Sequence, residues 1–227
     1  MKHLKGKSGG RRGFTLVELL VVIVIIGILA SLVVGLSGTA SRKMRESRTR
    51  AELTAIGTAI ESYKAKFGHY PPDNPNDPAV NSLYYELTGC LYSPTRKTFR
   101  DPKVGTVMKV QAIKEHFGVE GFINTARTER ELKKFYEPTS KTVRHISEEH
   151  GDSDAGEGHV KHHSDEVHVL CVPVPWPLGR DDHPVRHHGK VAKGINPWRY
   201  VAGQSVVHNI GKYDLWAEIV VGDEVLV

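Results

Sequence analysis

Gly13-Phe14-Thr15-Leu16-Val17-Glu18 joins a cationic leader to an apolar run, and the reading of the whole chain turns on this hexapeptide. Residues 1–13 carry Lys2, Lys5, Lys7, Arg11 and Arg12 and no acid, whereas Glu18 is the sole charged side chain between positions 14 and 40. As a helix, residues 14–36 would be roughly 35 Å long at about 1.5 Å per residue, enough to cross a bilayer. An ionised Glu near the start of such a helix is costly in lipid, so it marks a contact with a partner. The partner expected here is a second copy of the same chain.

The hexapeptide and the run behind it resemble the class III signal of type IV prepilins and type II secretion pseudopilins. The resemblance implies that a prepilin peptidase/methyltransferase cuts between Gly13 and Phe14 and N-methylates Phe14. It also implies that Glu18 is the assembly residue of the mature helix. Physics agrees with that transfer: a freed ammonium at Phe14, set against Glu18 of a neighbour, neutralises two charges that lipid disfavours and fixes axial register. An ordinary secretory signal fits poorly, because no A-x-A-like site follows the apolar run and the small residue precedes it. The bland alternative is an uncleaved signal anchor with one odd acid.

The calculated pI near 9.1 invites a nucleic-acid reading. The charge count removes it, for beyond position 13 the chain holds 26 basic against 26 acidic side chains. No nucleic acid is therefore expected as a partner of the mature form. A local basic cluster at Arg42, Lys43, Arg45, Arg48 and Arg50 reads best as a face touching anionic lipid headgroups, DNA capture being the weaker alternative. Because basic residues flank both ends of the apolar run, orientation rests on the cleavage signal, which implies leader inside and head outside.

Leu53, Ile56, Ile60, Tyr63 and Phe67 recur at spacings of three and four, so the helix is expected to continue to Phe67 with an amphipathic stripe under a globular head. Gly68 and Pro71-Pro72 stop it. The stretch Tyr63-Lys-Ala-Lys-Phe-Gly-His-Tyr-Pro71 again resembles the helix end of major pseudopilins. Many relatives have Pro where Gly35 stands, which is a departure. Further on, 82–87, 112–117 and 128–136 read as short helices, the last opening with a Thr128-x-x-Glu131 capping box. Strands are expected late, at 166–174, 198–202 and 213–221. Asn196-Pro197-Trp198-Arg199-Tyr200 and Lys212-Tyr213-Asp214-Leu215-Trp216 are similar to the pseudopilin C-terminal sheet, with Asn196 and Arg199 departing from its Asp-Pro-Trp-Gly turn.

Candidate chemistry outside the helix is thin. His159, His162, His163 and His168 lie among Asp152, Asp154, Glu157, Asp165 and Glu166, and His183, His187 and His188 follow Asp181 and Asp182. Such mixtures can hold divalent ions, but the spacing fits no H-E-x-x-H helix and 148–158 reads as a surface loop. Major pseudopilins carry a C-terminal calcium loop, yet only Gly222-Asp223-Glu224 remains of its acidic run, too few oxygens for a hard cation. No metal and no cofactor are assigned. Cys90 and Cys171 are either a disulfide or two small buried apolar residues.

The expected fold class is α+β and pilin-like: a long N-terminal helix, transmembrane in its first half, packed on a small C-terminal antiparallel sheet. The expected organisation is leader 1–13, membrane or filament-core helix 14–36, amphipathic continuation 37–68, and a periplasmic head 69–227 with a His-rich insertion around 144–190. The resemblance implies a non-enzymatic subunit of a type II secretion pseudopilus, inserted in the inner membrane and polymerising with itself and other pseudopilins on an assembly platform. The alternatives are a type IV pilus subunit for adhesion, motility or DNA uptake, and a membrane-anchored metal-binding enzyme.

Overall fold

The structure is a computed structural model. It describes residues 14–146, 167–180, 182, 183, 185–187, 190, 191, 193–203, 206, 208–221 and 224–227, the side chains of 32–40, 186, 187, 190, 191 and 221 excepted. The chain divides into two compact units, Met1–Met44 and Arg45–Val227.

A single helix, α1 (Leu16–Phe67), supplies the described part of the first unit and opens the second. Its apolar side chains from Phe14 to Leu29 are 48–84 % exposed, on every face. Among the described residues no helix is long and apolar enough to cross a membrane. The span expected at 14–36 lies partly outside the described side chains, which stop at position 31 and resume at 41.

In the second unit the expected stripe becomes the core seam. Ile56, Ala59, Ile60 and Tyr63 are buried and Phe67 packs against the cluster they start, whereas Leu53 stays partly exposed. Gly68, at φ +84°, closes the helix by donating its N–H to the Lys64 carbonyl at 2.8 Å, a left-handed position that favours glycine.

The next element, α2 (Leu83–Thr88), is buried along its whole length. Asn81 holds its start, accepting the Leu83 N–H and donating to the carbonyls of Pro78 and Trp198. The burial carries one charge inside with it. The Glu86 carboxylate accepts the Tyr63 hydroxyl at 2.9 Å and the N–H groups of Ile123 and Asn124 at 2.9 and 3.0 Å. One side chain thus ties α1, α2 and the 123–124 turn together.

A mixed sheet follows, built from β1 (Cys90–Ser93), β2 (Thr98–Arg100), β3 (Val107–Lys109) and β4 (Thr125–Ala126) in the order β3-β2-β1-β4. Its pairs are antiparallel except β1 with β4, which is parallel. From β3 the chain runs straight into α3 (Val110–Phe117), whose Ile113 and Phe117 enter the core. Antiparallel pairs complete the head: β5 (Val143–Ile146) with β6 (Val167–Leu170), β7 (Arg186–His187) with β8 (Lys190–Val191), β9 (Arg199–Ala202) with β10 (Tyr213–Trp216), and β11 (Ile219–Val221) with β12 (Glu224–Leu226).

The α+β class holds, but the sheet does not have the expected form. Among the described residues there is no single C-terminal antiparallel sheet; a mixed four-stranded sheet stands in the middle of the chain and the late strands form separate pairs. The helix expected at 128–136 is absent beyond one turn, the Glu131 N–H reaching the Thr128 carbonyl at 3.2 Å. Tertiary contacts claim that backbone instead. Phe135 and Tyr136 donate their N–H groups to the Leu87 carbonyl, and the Lys133 carbonyl accepts from the Asn124 amide. The strand expected at 166–174 ends at Leu170 with a bridge from Cys171 to Pro197, because Pro173 and Pro175 bring no N–H to a ladder. That expected at 213–221 is broken at Ala217-Glu218 into β10 and β11.

Burial pushes the Glu86 carboxyl above its usual range, outweighing the amide and hydroxyl donors that favour its ionised form. Folded Glu86 therefore holds its proton more tightly than the unfolded chain does. Its contribution to stability is complete below about pH 4.3 and is lost as pH rises through the raised value. Urea denaturation at a series of pH values is expected to show wild type losing stability relative to Glu86→Gln across that window. Tyr63→Phe, which leaves the carboxylate two of its three donors, is expected to cost about 1–2 kcal/mol in the same measurement.

Candidate assembly site

The hexapeptide that opens the apolar run proves to be a helix start. Thr15 stands immediately before α1 and Glu18 at its third residue. The Thr15 hydroxyl oxygen accepts the Glu18 N–H at 3.2 Å, and Glu18 Oε2 accepts both the Thr15 N–H and the Thr15 hydroxyl at 2.9 Å. This is a reciprocal capping box: two backbone donors that the first turn would leave without partners are each met by the other residue's side chain. The carboxylate also lies at the positive end of the helix dipole, which favours a negative charge there. Glu18, read from the sequence as an intermolecular partner, therefore has an intramolecular partner in Thr15, a residue the sequence reading passed over. The signal was present: Thr15-x-x-Glu18 before an apolar run is the capping-box pattern.

Phe14 is the most exposed of the large apolar side chains near the helix start, and Gly13 lies outside the described residues. The proposed cleavage position is thus bounded on its C-terminal side by an exposed aromatic followed at once by an ordered helix start.

Within the second unit, the segments carrying the late motifs pair with one another. Tyr213 stands opposite Ala202, Asp214 opposite Val201, Leu215 opposite Tyr200 and Trp216 opposite Arg199. Asn196, where the resemblance calls for Asp, is buried and donates its amide to the carbonyls of Val174 and Glu218. Arg199, in the Gly position, is nearly buried and paired with Glu218 at 3.0 Å. Asp214 accepts the N–H groups of His208 and Asn209 and the Asn209 amide at 2.7–3.0 Å. These bonds fasten the 208–209 turn to β10.

The histidine-rich stretch separates into pieces. His159, His162 and His163, with Asp152, Asp154, Glu157, Asp165 and Glu166, lie outside the described residues, as do Asp181 and His188. Of the remainder, His168 is a buried core residue of β6, its N–H donated to the Tyr85 hydroxyl at 2.9 Å and its ring facing His145 across the β5–β6 pair. Among the described residues no group of three or more His, Cys, Asp or Glu side chains could hold a metal ion.

Cys90 and Cys171 are both free thiols and both buried, so the disulfide reading is not the one this fold adopts. Cys90 begins β1 in the mixed sheet, while Cys171 follows β6 beside Pro197; each packs as a small apolar member of the core. Burial pushes the Cys90 thiol well above its ordinary value and raises Cys171 to about 12. Neither offers a thiolate near neutral pH.

The profile of the prokaryotic N-terminal methylation motif matches residues 9–34. Among curated proteins the chain is similar to type II secretion system core protein G of Escherichia coli K12, 46 % identical over 65 residues, which is 28 % of this chain and 44 % of the relative. The corresponding protein of Pectobacterium carotovorum is 44 % identical over 68 residues, covering 29 % and 43 %. Fimbrial protein EcpB of Eikenella corrodens is 36 % identical over 96 residues, covering 42 % and 60 %. The chain spans less than two thirds of the length of each of these relatives. No solved structure matches it.

Thiol titration with an aromatic disulfide reagent is expected to find no fast-reacting thiol in the native chain and two after denaturation without reductant. Thr15→Ala, which removes one half of the capping box, is expected to destabilise the helix start by about 1 kcal/mol, seen as faster amide exchange at Val17 and Glu18. On these observations the chain carries the prepilin N-terminal methylation motif on a self-capped helix and is similar, over part of its length, to the type II secretion pseudopilins known as core protein G.

Proposed function

We propose that the chain is a pilin-like structural subunit that polymerises into the periplasmic pseudopilus of a type II secretion system and drives protein export. The observation that carries this reading is the methylation motif at 9–34, with Glu18 on the first turn of an apolar helix whose side chains find no cover within their own unit. Residues 1–13 are the leader. A prepilin peptidase/methyltransferase cuts between Gly13 and Phe14 and methylates the new amine. The apolar run 14–36 anchors the chain in the inner membrane with the head in the periplasm, then becomes filament core, while 37–68 continues the helix and 69–227 is the head.

The chemistry of assembly follows from the capping box. A bare carboxylate in hydrocarbon is costly, and Thr15 meets part of that cost before any partner arrives. The ammonium of a neighbouring Phe14 brings the opposite charge, which Thr15 cannot supply. Glu18 is then shared between its own helix start and the neighbour, and subunits stack in one register. Partners on this reading are further copies, other pseudopilins, the assembly platform and the bilayer. No enzymatic activity is assigned. The longer match to a fimbrial protein favours a second reading, a type IV pilus subunit, which uses the same helix and differs in where the filament goes.

Co-expression with a prepilin peptidase is expected to lower the mass by that of the 13-residue leader and to leave Phe14 N-terminal and methylated; a chain still beginning at Met1 would overturn the reading. Glu18→Ala is expected to leave the precursor in the membrane and to reduce filament yield at least tenfold, counted by electron microscopy of sheared material. Normal yield would sink the charge-pairing argument.

A further inference from the structure

Cations gather on one side of the mixed sheet. Strand register sets Thr98 opposite Lys109, Phe99 opposite Met108 and Arg100 opposite Val107. Phe99 and Met108 enter the core, so Arg100 and Lys109, both exposed, stand on the outward face. The turn from β1 into β2 adds exposed Arg96 and Lys97 next to Thr98. Beyond β4, Glu129 reaches Arg100 at 3.7 Å, which brings the stretch carrying exposed Arg127 and Arg130 to the same sheet. Six bases here stand against two exposed acids, Glu129 and Glu131. Among the described residues, Arg96, Lys97, Lys109, Arg127 and Arg130 have no carboxylate within 4.0 Å.

The order of charges along the chain is a second, independent observation. From β1 to β5, residues 90–146 hold twelve bases against six acids. Residues 147–166, which lie outside the described residues, hold seven acids, Glu148 to Glu166, against one base, Lys161. Two blocks of net charge +6 and −6 therefore adjoin in sequence, counting His as neutral. A block of like charge is commonly an interaction segment. Both ends of the acidic block are fixed at one place, because Ile146 and Val167 pair with each other. Twenty residues that leave and return there can carry their middle up to about 33 Å away, at roughly 3.3 Å per residue.

We propose that the acidic block 147–166 docks on the outward face of the mixed sheet of its own chain, its carboxylates meeting Arg96, Lys97, Lys109, Arg127 and Arg130. Charge selects the block, and tethering selects the copy. A tethered segment meets its own face at an effective concentration on the order of mM, an advantage that a second copy or an external polyanion lacks. Single exposed ion pairs are weak, so the contact rests on several together and is sensitive to salt. The site goes beyond the pilin-like reading and is tested apart from it, because its readout is in the head rather than at Gly13.

The test treats the intact chain in detergent with a water-soluble carbodiimide and reads the products by peptide mass spectrometry. Each coupling joins a lysine Nζ to a side-chain carboxyl as an amide, and the water lost hydrates the carbodiimide to its urea. Lys103 with Glu137 and Lys114 with Glu120, ion-paired at 3.2 and 2.5 Å, serve as internal standards. Lys97 and Lys109 are expected to couple to acids within 147–166. Replacing Arg96, Arg100, Arg127 and Arg130 by Gln is expected to lower that yield at least fivefold while both standards, and so the fold, stay unchanged. Mixing natural and 15N-labelled chains is expected to give products within one chain. Absence of coupling from Lys97 and Lys109 to the block would overturn the proposal, as would a yield that the Gln variant leaves unchanged. Products of mixed isotope content would assign the face to a second copy and also overturn it.

Discussion

A carboxylate taken into a protein core must be met by donors or it destabilises the fold by several kcal/mol, and the head is organised around one such demand. Glu86 sits on a helix with no exposed residue and draws a hydroxyl from α1 and two backbone N–H groups from the turn before β4. The Asn124 amide answers from the other side, donating to the Glu86 carbonyl and to that of Lys133. The parallel pairing of β4 with β1, the seat of α2 on α1 and the path of residues 133–136 are thereby linked. Aromatic rings fill the space around this hub, with Tyr63 against Phe67 and Phe135, and Tyr85 stacked on Phe122.

Periodic features of the sequence survived the comparison with the structure, and features that depend on distant partners did not. The stripe at 56, 60 and 63 and the stop at Gly68 follow from local spacing and backbone preference, and both are where spacing puts them. Two of the places where Thr-x-x-Glu occurs, 15–18 and 128–131, make the limit plain. At 15–18 no described residue outside the helix start claims these backbone groups, and the box forms. At 128–131 the Leu87 carbonyl and the Asn124 amide claim the groups a helix would have used, so one turn remains. Strands β1 to β4 went unread because they are two to four residues long and carry charged residues such as Arg100 and Lys109, so that no alternation stands out. Of the candidate site, Glu18 was legible as an acid out of place. Its bond to Thr15 was written in the same six residues, but the acid's cost in lipid drew the reading toward a partner.

The two units carry different kinds of information. The methylation motif occupies residues 9–34, whereas the mixed sheet and the buried Glu86 belong to the second unit. Departures from the expected C-terminal motifs are absorbed locally. Asn196 replaces a charge with an amide that can both donate and pack, and Arg199 is balanced by Glu218, two residues beyond its strand partner Trp216.

The thiols at Cys90 and Cys171 have a consequence for how the head comes to be folded. Each occupies its place by volume and apolarity, so no covalent closure has to precede or follow the packing of α2 and β6. Folding of this unit is therefore indifferent to the redox poise of its surroundings. A reductant strong enough to open secreted disulfide-stapled domains would find nothing here to cleave.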